Sequence, residues 1–153
     1  MEKVTIQGIK ANDHRILSRV ITRIENDDFV QDQGFIELYD QAQDAIRLGV
    51  TGPPGAGKST ITNELIKRFL IKKKTIGVIA IDPTSPFSGG ALLGDRVRMN
   101  HYNNDKSVFI RSMGTHGELG GLARKAQEAG DILAASGKDV IIFATVGVGQ
   151  GEY

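Results

Sequence analysis

The chain contains no cysteine in 153 residues, and its formal net charge is only +1. Without thiols there are no disulfides, no thiolate metal ligands and no cysteine nucleophile, which fits a reducing compartment such as the cytoplasm. The near balance of 19 basic and 18 acidic residues provides no strong field to hold nucleic acid or an anionic membrane. No window approaches the roughly 18 consecutive apolar residues of a membrane-spanning helix, and residues 1–15 lack the pattern of a secretory leader. Internal repeats, low-complexity tracts and linkers are also missing. Neither a nucleic-acid nor a membrane partner is therefore expected. What is present is 40% apolar content over 153 residues, enough for one core and with little room for a second.

The 19 glycines crowd into residues 49–57, 89–94, 114–121 and 147–151. The first cluster lies in LGVTGPPGAGKST, residues 48–60, where Gly52, Gly55, Gly57, Lys58 and Ser59 satisfy G-x-x-x-x-G-K-[ST]. A short apolar run precedes this motif, and ITNELIKRFLIKKK, with helical spacing, follows it. In such a strand, loop and helix, glycines let successive N–H groups turn toward an anion, and the helix adds the positive end of its dipole. Lys58 then reaches the β- and γ-phosphates and the Ser59 hydroxyl can ligate Mg²⁺, while Thr60 belongs to the first helical turn.

Elsewhere the periodicity is simple. Asn12 or Asp13 is positioned to cap a helix whose buried stripe is Ile16, Leu17, Val20, Ile21 and Ile24, with His14, Arg15, Arg19, Arg23 and Glu25 in solvent. Phe35, Ile36, Leu38, Tyr39, Ala42, Ala45 and Ile46 form a second helical stripe. After the loop, Ile61, Leu65, Ile66, Phe69 and Leu70 share a helix face, and Lys72, Lys73 and Lys74 complement its dipole. Residues 75–81, 108–113 and 139–146 are strand candidates, and residues 121–136 a helix. The alternation predicts a mainly parallel α/β sheet.

Asp82 directly follows a buried strand, where open α/β sheets place ligand-binding groups. The loop beyond it carries a second carboxylate, Asp95, and two acids near a triphosphate suit the hard-oxygen preference of Mg²⁺. Four runs, TGPPGAGKST, IDPTSPFSGGALLGDRVRM, VFIRSMGTHGELGGLA and DVIIFATVGVGQGE, together resemble the MeaB/ArgK family of SIMIBI-class GTPases. These are G-protein chaperones of adenosylcobalamin-dependent acyl-CoA mutases, some long labelled amino-acid transport kinases. The resemblance implies a three-layer P-loop NTPase core over residues 48–153, behind a helical extension at 1–47. It implies GTP or GDP held by Gly52, Pro53, Pro54, Gly55, Ala56, Gly57, Lys58, Ser59 and Thr60. Mg²⁺ would be held by Ser59, Asp82 and Asp95, and Lys58, Asp82 and Gln150 would serve catalysis, with Gln150 near the attacking water. A mutase partner and a homodimer of the full-length protein also follow from it.

Two departures limit the resemblance. The family usually carries Glu where this chain has Ala144, and a methyl group cannot orient a Mg²⁺-bound water. The sequence also stops at Tyr153, roughly halfway along a typical member, ahead of the N-K-x-D segment that reads guanine. A truncated core is thus expected, with an open sheet edge, an uncovered apolar face, and marginal stability or self-association. A nucleotide-binding module with little hydrolysis and an ATP-dependent kinase are the alternatives. Arg111 and His116 receive a solvated loop role, with the nucleotide or the partner as the other possibility, and Arg96 and Arg98 a helix-surface role, with an arginine-finger contribution to the transition state as theirs.

Overall fold

The computed structural model describes residues 2–42, 44–51, 57–82, 106–114 and 121–145. Three helices come first: α1 (Lys3–Lys10), α2 (His14–Glu25) and α3 (Gln33–Gln41). Then follow β1 (Ile46–Val50), α4 (Lys58–Ile71), β2 (Ile76–Asp82), β3 (Val108–Gly114), α5 (Leu122–Ala135) and β4 (Val140–Thr145). The four strands pair in parallel in the order β1-β4-β2-β3. Long apolar runs such as Ile76, Val78, Ile79 and Ala80 are buried without alternation, as expected of strands covered on both sides.

Two clusters of side chains divide the core. On one face, Val50, Val78, Ile142 and Ala144 pack with Ile66 of α4. On the other, Ile79, Phe109, Met113 and Ile141 pack with residues of α1, α2, α3 and α5. The architecture is therefore α/β in three layers, helix, sheet and helix. Each fully buried side chain of this size is worth about 1.5–3 kcal/mol, so neither layer is decorative. The uncovered face expected from the sequence does not occur among the described residues, because α1 to α3 and α5 occupy it. β1 and β3 remain at the two edges of the described sheet.

Local chemistry explains most boundaries. The Asp13 carboxylate accepts from the backbone N–H of Arg15 at 3.0 Å and Ile16 at 3.5 Å, opening α2. Asp32 does the same for α3 through Phe35 N–H at 3.1 Å. α3 stops at Gln41, and the expected helical stripe ends early because Ala42 turns to extended backbone at ψ 152°. Ile46 instead opens the edge strand and is 51% exposed. In α4, Ile61 lies on the solvent side at 50% exposure, and buried Thr62 takes its place on the packed face, satisfied by donating to Lys58 O at 2.8 Å. α5 lies close on β4 and β1: a Cβ at Gly130 would meet Phe143 Cζ at 2.7 Å and Arg47 Nη1 at 3.0 Å.

Three polar residues differ from their sequence-based reading. Glu25, expected in solvent, is buried, and its carboxylate accepts from Arg111 Nη2 at 2.8 Å. Arg111, expected on the surface or facing a ligand, sits on β3 and also donates to Thr22 Oγ1 at 2.6 Å. His14, expected on the surface, packs edge-on against Phe109 with ring centroids 5.0 Å apart, and its Nε2 lies 3.1 Å from Lys138 Nζ. In all three cases a distant element supplies the partner, and that information is not local in the chain.

Candidate functional site

Because all four strands run the same way, Thr51, Asp82, Gly114 and Thr145 arrive together along the carboxyl end of the sheet. From Thr51 the chain reaches Gly57, which adopts φ +83°, ψ 20°, the left-handed conformation that L side chains rarely take. Gly57 carries no side chain to cap α4, in contrast with Asp13 and Asp32 on α2 and α3. The first intrahelical bond of α4 is Ile61 N–H to Gly57 O at 3.0 Å. By helix geometry the amides of Lys58, Ser59 and Thr60 then point out of the N-terminus, where an anion is favoured.

Lys58 is the first residue of α4 and Ser59 and Thr60 complete its first turn. Asp82 is the last residue of β2, in register with Gly114 of β3. The sheet thus brings Gly57, Lys58, Ser59, Thr60 and Asp82 to the same end of the molecule, although they come from separate segments. Gly52, Pro53, Pro54, Gly55 and Ala56 lie outside the described residues, as do Asp95, Arg96, Arg98, His116 and Gln150. Serine and aspartate supply the hard oxygen donors that Mg²⁺ takes.

Two features at this end take their meaning from the sheet order, which the sequence does not show. Thr145 Oγ1 donates to Thr51 Oγ1 at 3.1 Å, tying the exits of β4 and β1 together just before their loops. Ala144 is 6% exposed and stands in register between Val50 and Ala80, in the cluster that packs against α4. A cavity of about 150 Å³ lined by Tyr39, Ala42, Asp44, Ala45, Arg47 and Ala134 lies elsewhere, beside the entrance of β1. There Arg47 is held by Asp131 at 2.7 Å and Tyr39 at 3.3 Å, a structural arrangement remote from the start of α4.

A family model described as methylmalonyl-CoA mutase-associated GTPase MeaB matches residues 17–153. The chain belongs to the MeaB family. Among other members, a candidate GTPase of Pyrococcus abyssi is 51% identical over 147 residues, 96% of this chain and 45% of the relative. A fused isobutyryl-CoA mutase of Cupriavidus metallidurans is 41% identical over 156 residues, 97% of this chain and 14% of that protein. The crystal structure of a LAO/AO transport system kinase superposes with a TM-score of 0.69 at 25% identity, over 99% of this chain and 46% of its own. This MeaB-family chain therefore has the fold of a P-loop NTPase and spans less than half the length of these relatives. Among the described residues no helix is long and apolar enough to cross a membrane.

Proposed function

We propose that the chain binds GTP at the β1–α4 junction and hydrolyses it to GDP and phosphate with Mg²⁺, as the nucleotide-binding part of a cytoplasmic G-protein chaperone. The observation that carries this reading is a helix opened by left-handed Gly57, which has no side chain to cap it, with Lys58 as its first residue. In this reading residues 48–153 form the GTPase part and residues 1–47 a helical extension packed on it. Residues 52–60 enclose the phosphates, with the backbone N–H groups other than those of Pro53 and Pro54, which have none, donating to the β- and γ-phosphate oxygens, and the Lys58 ammonium adds a charge-assisted contact. Ser59, Asp82 and Asp95 hold Mg²⁺, which neutralises phosphate charge when bound. Gln150 orients the water that attacks in line. The family's description and the fused mutase relative favour an adenosylcobalamin-dependent acyl-CoA mutase as partner, with a homodimer in the full-length protein.

A second reading, a nucleotide-binding module with little turnover, is favoured by Ala144, whose methyl offers no carboxylate beside the loops. Fluorescent GTP titration and phosphate release, with and without Mg²⁺, separate the two. Lys58→Ala removes a hydrogen bond from a charged donor, worth about 1.5–3 kcal/mol, so GTP affinity falls roughly 10- to 100-fold. Unchanged affinity would refute the site; tight binding without phosphate release would select the module.

A further inference from the structure

The carbonyls at the end of α4 are closed by backbone amides, which leaves the lysine side chains after it free of that task. Lys73 N–H donates to Leu70 O at 2.9 Å and Lys74 N–H to Phe69 O at 3.0 Å, with Lys73 at φ +59°. The side chains of Lys72, Lys73 and Lys74 are all exposed. Ile76 N–H donates to Ser107 O at 2.7 Å, which places exposed Lys106 alongside the entrance of β2. Asn12 Nδ2 donates to Lys106 O at 3.4 Å, bringing the α1–α2 corner, with exposed Lys10 just before it, to the same place. Beneath them, buried Lys138 contacts Asn12 Oδ1 and His14 Nε2.

Among the described residues, two acids at this end serve the backbone. Asp13 caps α2, and Asp139 Oδ2 accepts from Thr75 N–H at 2.9 Å. Among the described residues Lys10, Lys72, Lys73, Lys74 and Lys106 form no ion pair. A chain of net charge +1 therefore gathers a lysine-rich pole, without ion pairs among the described residues, from three separate segments, at a cost in self-repulsion. This pole lies at the starts of the strands, opposite the end where Thr51, Asp82 and Thr145 emerge.

We propose that the lysine-rich pole is a docking surface for an acidic face of a partner protein. Lysines are hydrated point charges suited to steering and to rim contacts, whereas nucleic-acid surfaces interleave arginine and stacking aromatics. The one large aromatic exposed among the described residues, Tyr39, sits with Arg47 beside β1 instead. Ile71, 80% exposed and adjacent to Lys72, provides an apolar anchor inside the basic rim, as protein interfaces have. The proposal deepens the mutase reading above by assigning the contact surface, and it leaves the nucleotide end uncovered.

The test measures association of the full chain with an adenosylcobalamin-dependent acyl-CoA mutase, for the native sequence, K72E/K74E/K106E, and the milder K72Q/K74Q/K106Q. GTP affinity reports on the fold of each variant and is expected to be unchanged. Native association slows as salt rises, and charge reversal slows it about 10-fold or more, with the neutral variant between. Equal association of all three, with GTP affinity intact, overturns the docking surface and leaves the mutase partnership standing. Failure of the native chain to bind overturns the partnership and the surface with it. Tighter binding to duplex oligonucleotides or phosphatidylserine vesicles than to the mutase, lost on reversal, also overturns the proposal.

Discussion

Removing the charge of Glu25 is the sharpest test of how the helical layer is fastened to the sheet. Its side chain is 4% exposed and that of Arg111 15%, with nitrogen and oxygen 2.8 Å apart. The contact joins α2 to β3 across 86 residues of sequence. Glu25→Gln preserves volume but leaves the guanidinium without its counter-ion in a site that water barely reaches. Breaking a buried pair from one side typically costs about 3–5 kcal/mol, because the remaining charge stays desolvated. For a chain of this size each kcal/mol shifts Tm by about 2–4 °C, so a drop of roughly 6–20 °C is expected. The double change Glu25→Leu with Arg111→Met removes both charges and should fall within about 2 kcal/mol of the native chain. Urea unfolding with a constant m-value measures both differences, and those of the single changes Glu25→Leu and Arg111→Met. A loss below about 1 kcal/mol for Glu25→Gln, or a double variant as weak as the summed singles, would refute this account.

Two further outcomes are expected. Burial lowers the Lys138 pKa from 10.5 to about 8, so between those values the unfolded chain holds a proton that the folded chain has lost. Stability attributable to Lys138 therefore rises with pH across that window, by about 3 kcal/mol, and is flat below it. The difference in unfolding free energy between the native chain and Lys138→Met should show this rise, and parallel pH curves would contradict it. Ala144→Glu places a carboxylate at a buried position between Val50 and Ala80, in the cluster that packs against α4. If the metal sits beside it, Mg²⁺ dependence of GTP binding shifts by about 10- to 100-fold and Mg²⁺ raises the variant's Tm more than the native chain's. Identical Mg²⁺ titrations would remove position 144 from the site.

The parts legible in the sequence are those whose cause is local. Asp13 lies beside the helix it caps, residues 76–81 declare their burial by lacking alternation, and the strand, glycine turn and helix around Lys58 fit within a short segment. α1 was not legible: Glu2 makes no side-chain cap and Gly8 interrupts the stripe, so nothing marks its start. Ile46 was misassigned because an edge strand with one exposed face can continue an apolar helical stripe without a break. The environments of Glu25, Arg111 and His14 depend on residues 86 or more positions away in Arg111, Glu25 and Lys138.

The same reasoning explains why the glycine clusters could be found without their arrangement. Each cluster begins at or just after a strand: 49–57 at the end of β1, 89–94 beyond β2, 114–121 from the end of β3 and 147–151 after β4. Parallel strands run all four exits the same way, so Thr51, Asp82, Gly114 and Thr145, scattered across the chain, reach one end of the sheet through sheet order alone. With β4 between β1 and β2, the exit carrying Thr145 falls directly beside Thr51, and their hydroxyls meet at 3.1 Å. No spacing rule in the sequence specifies that order. That order rests on long-range packing, with α4 covering one face of the sheet and α1, α2, α3 and α5 the other.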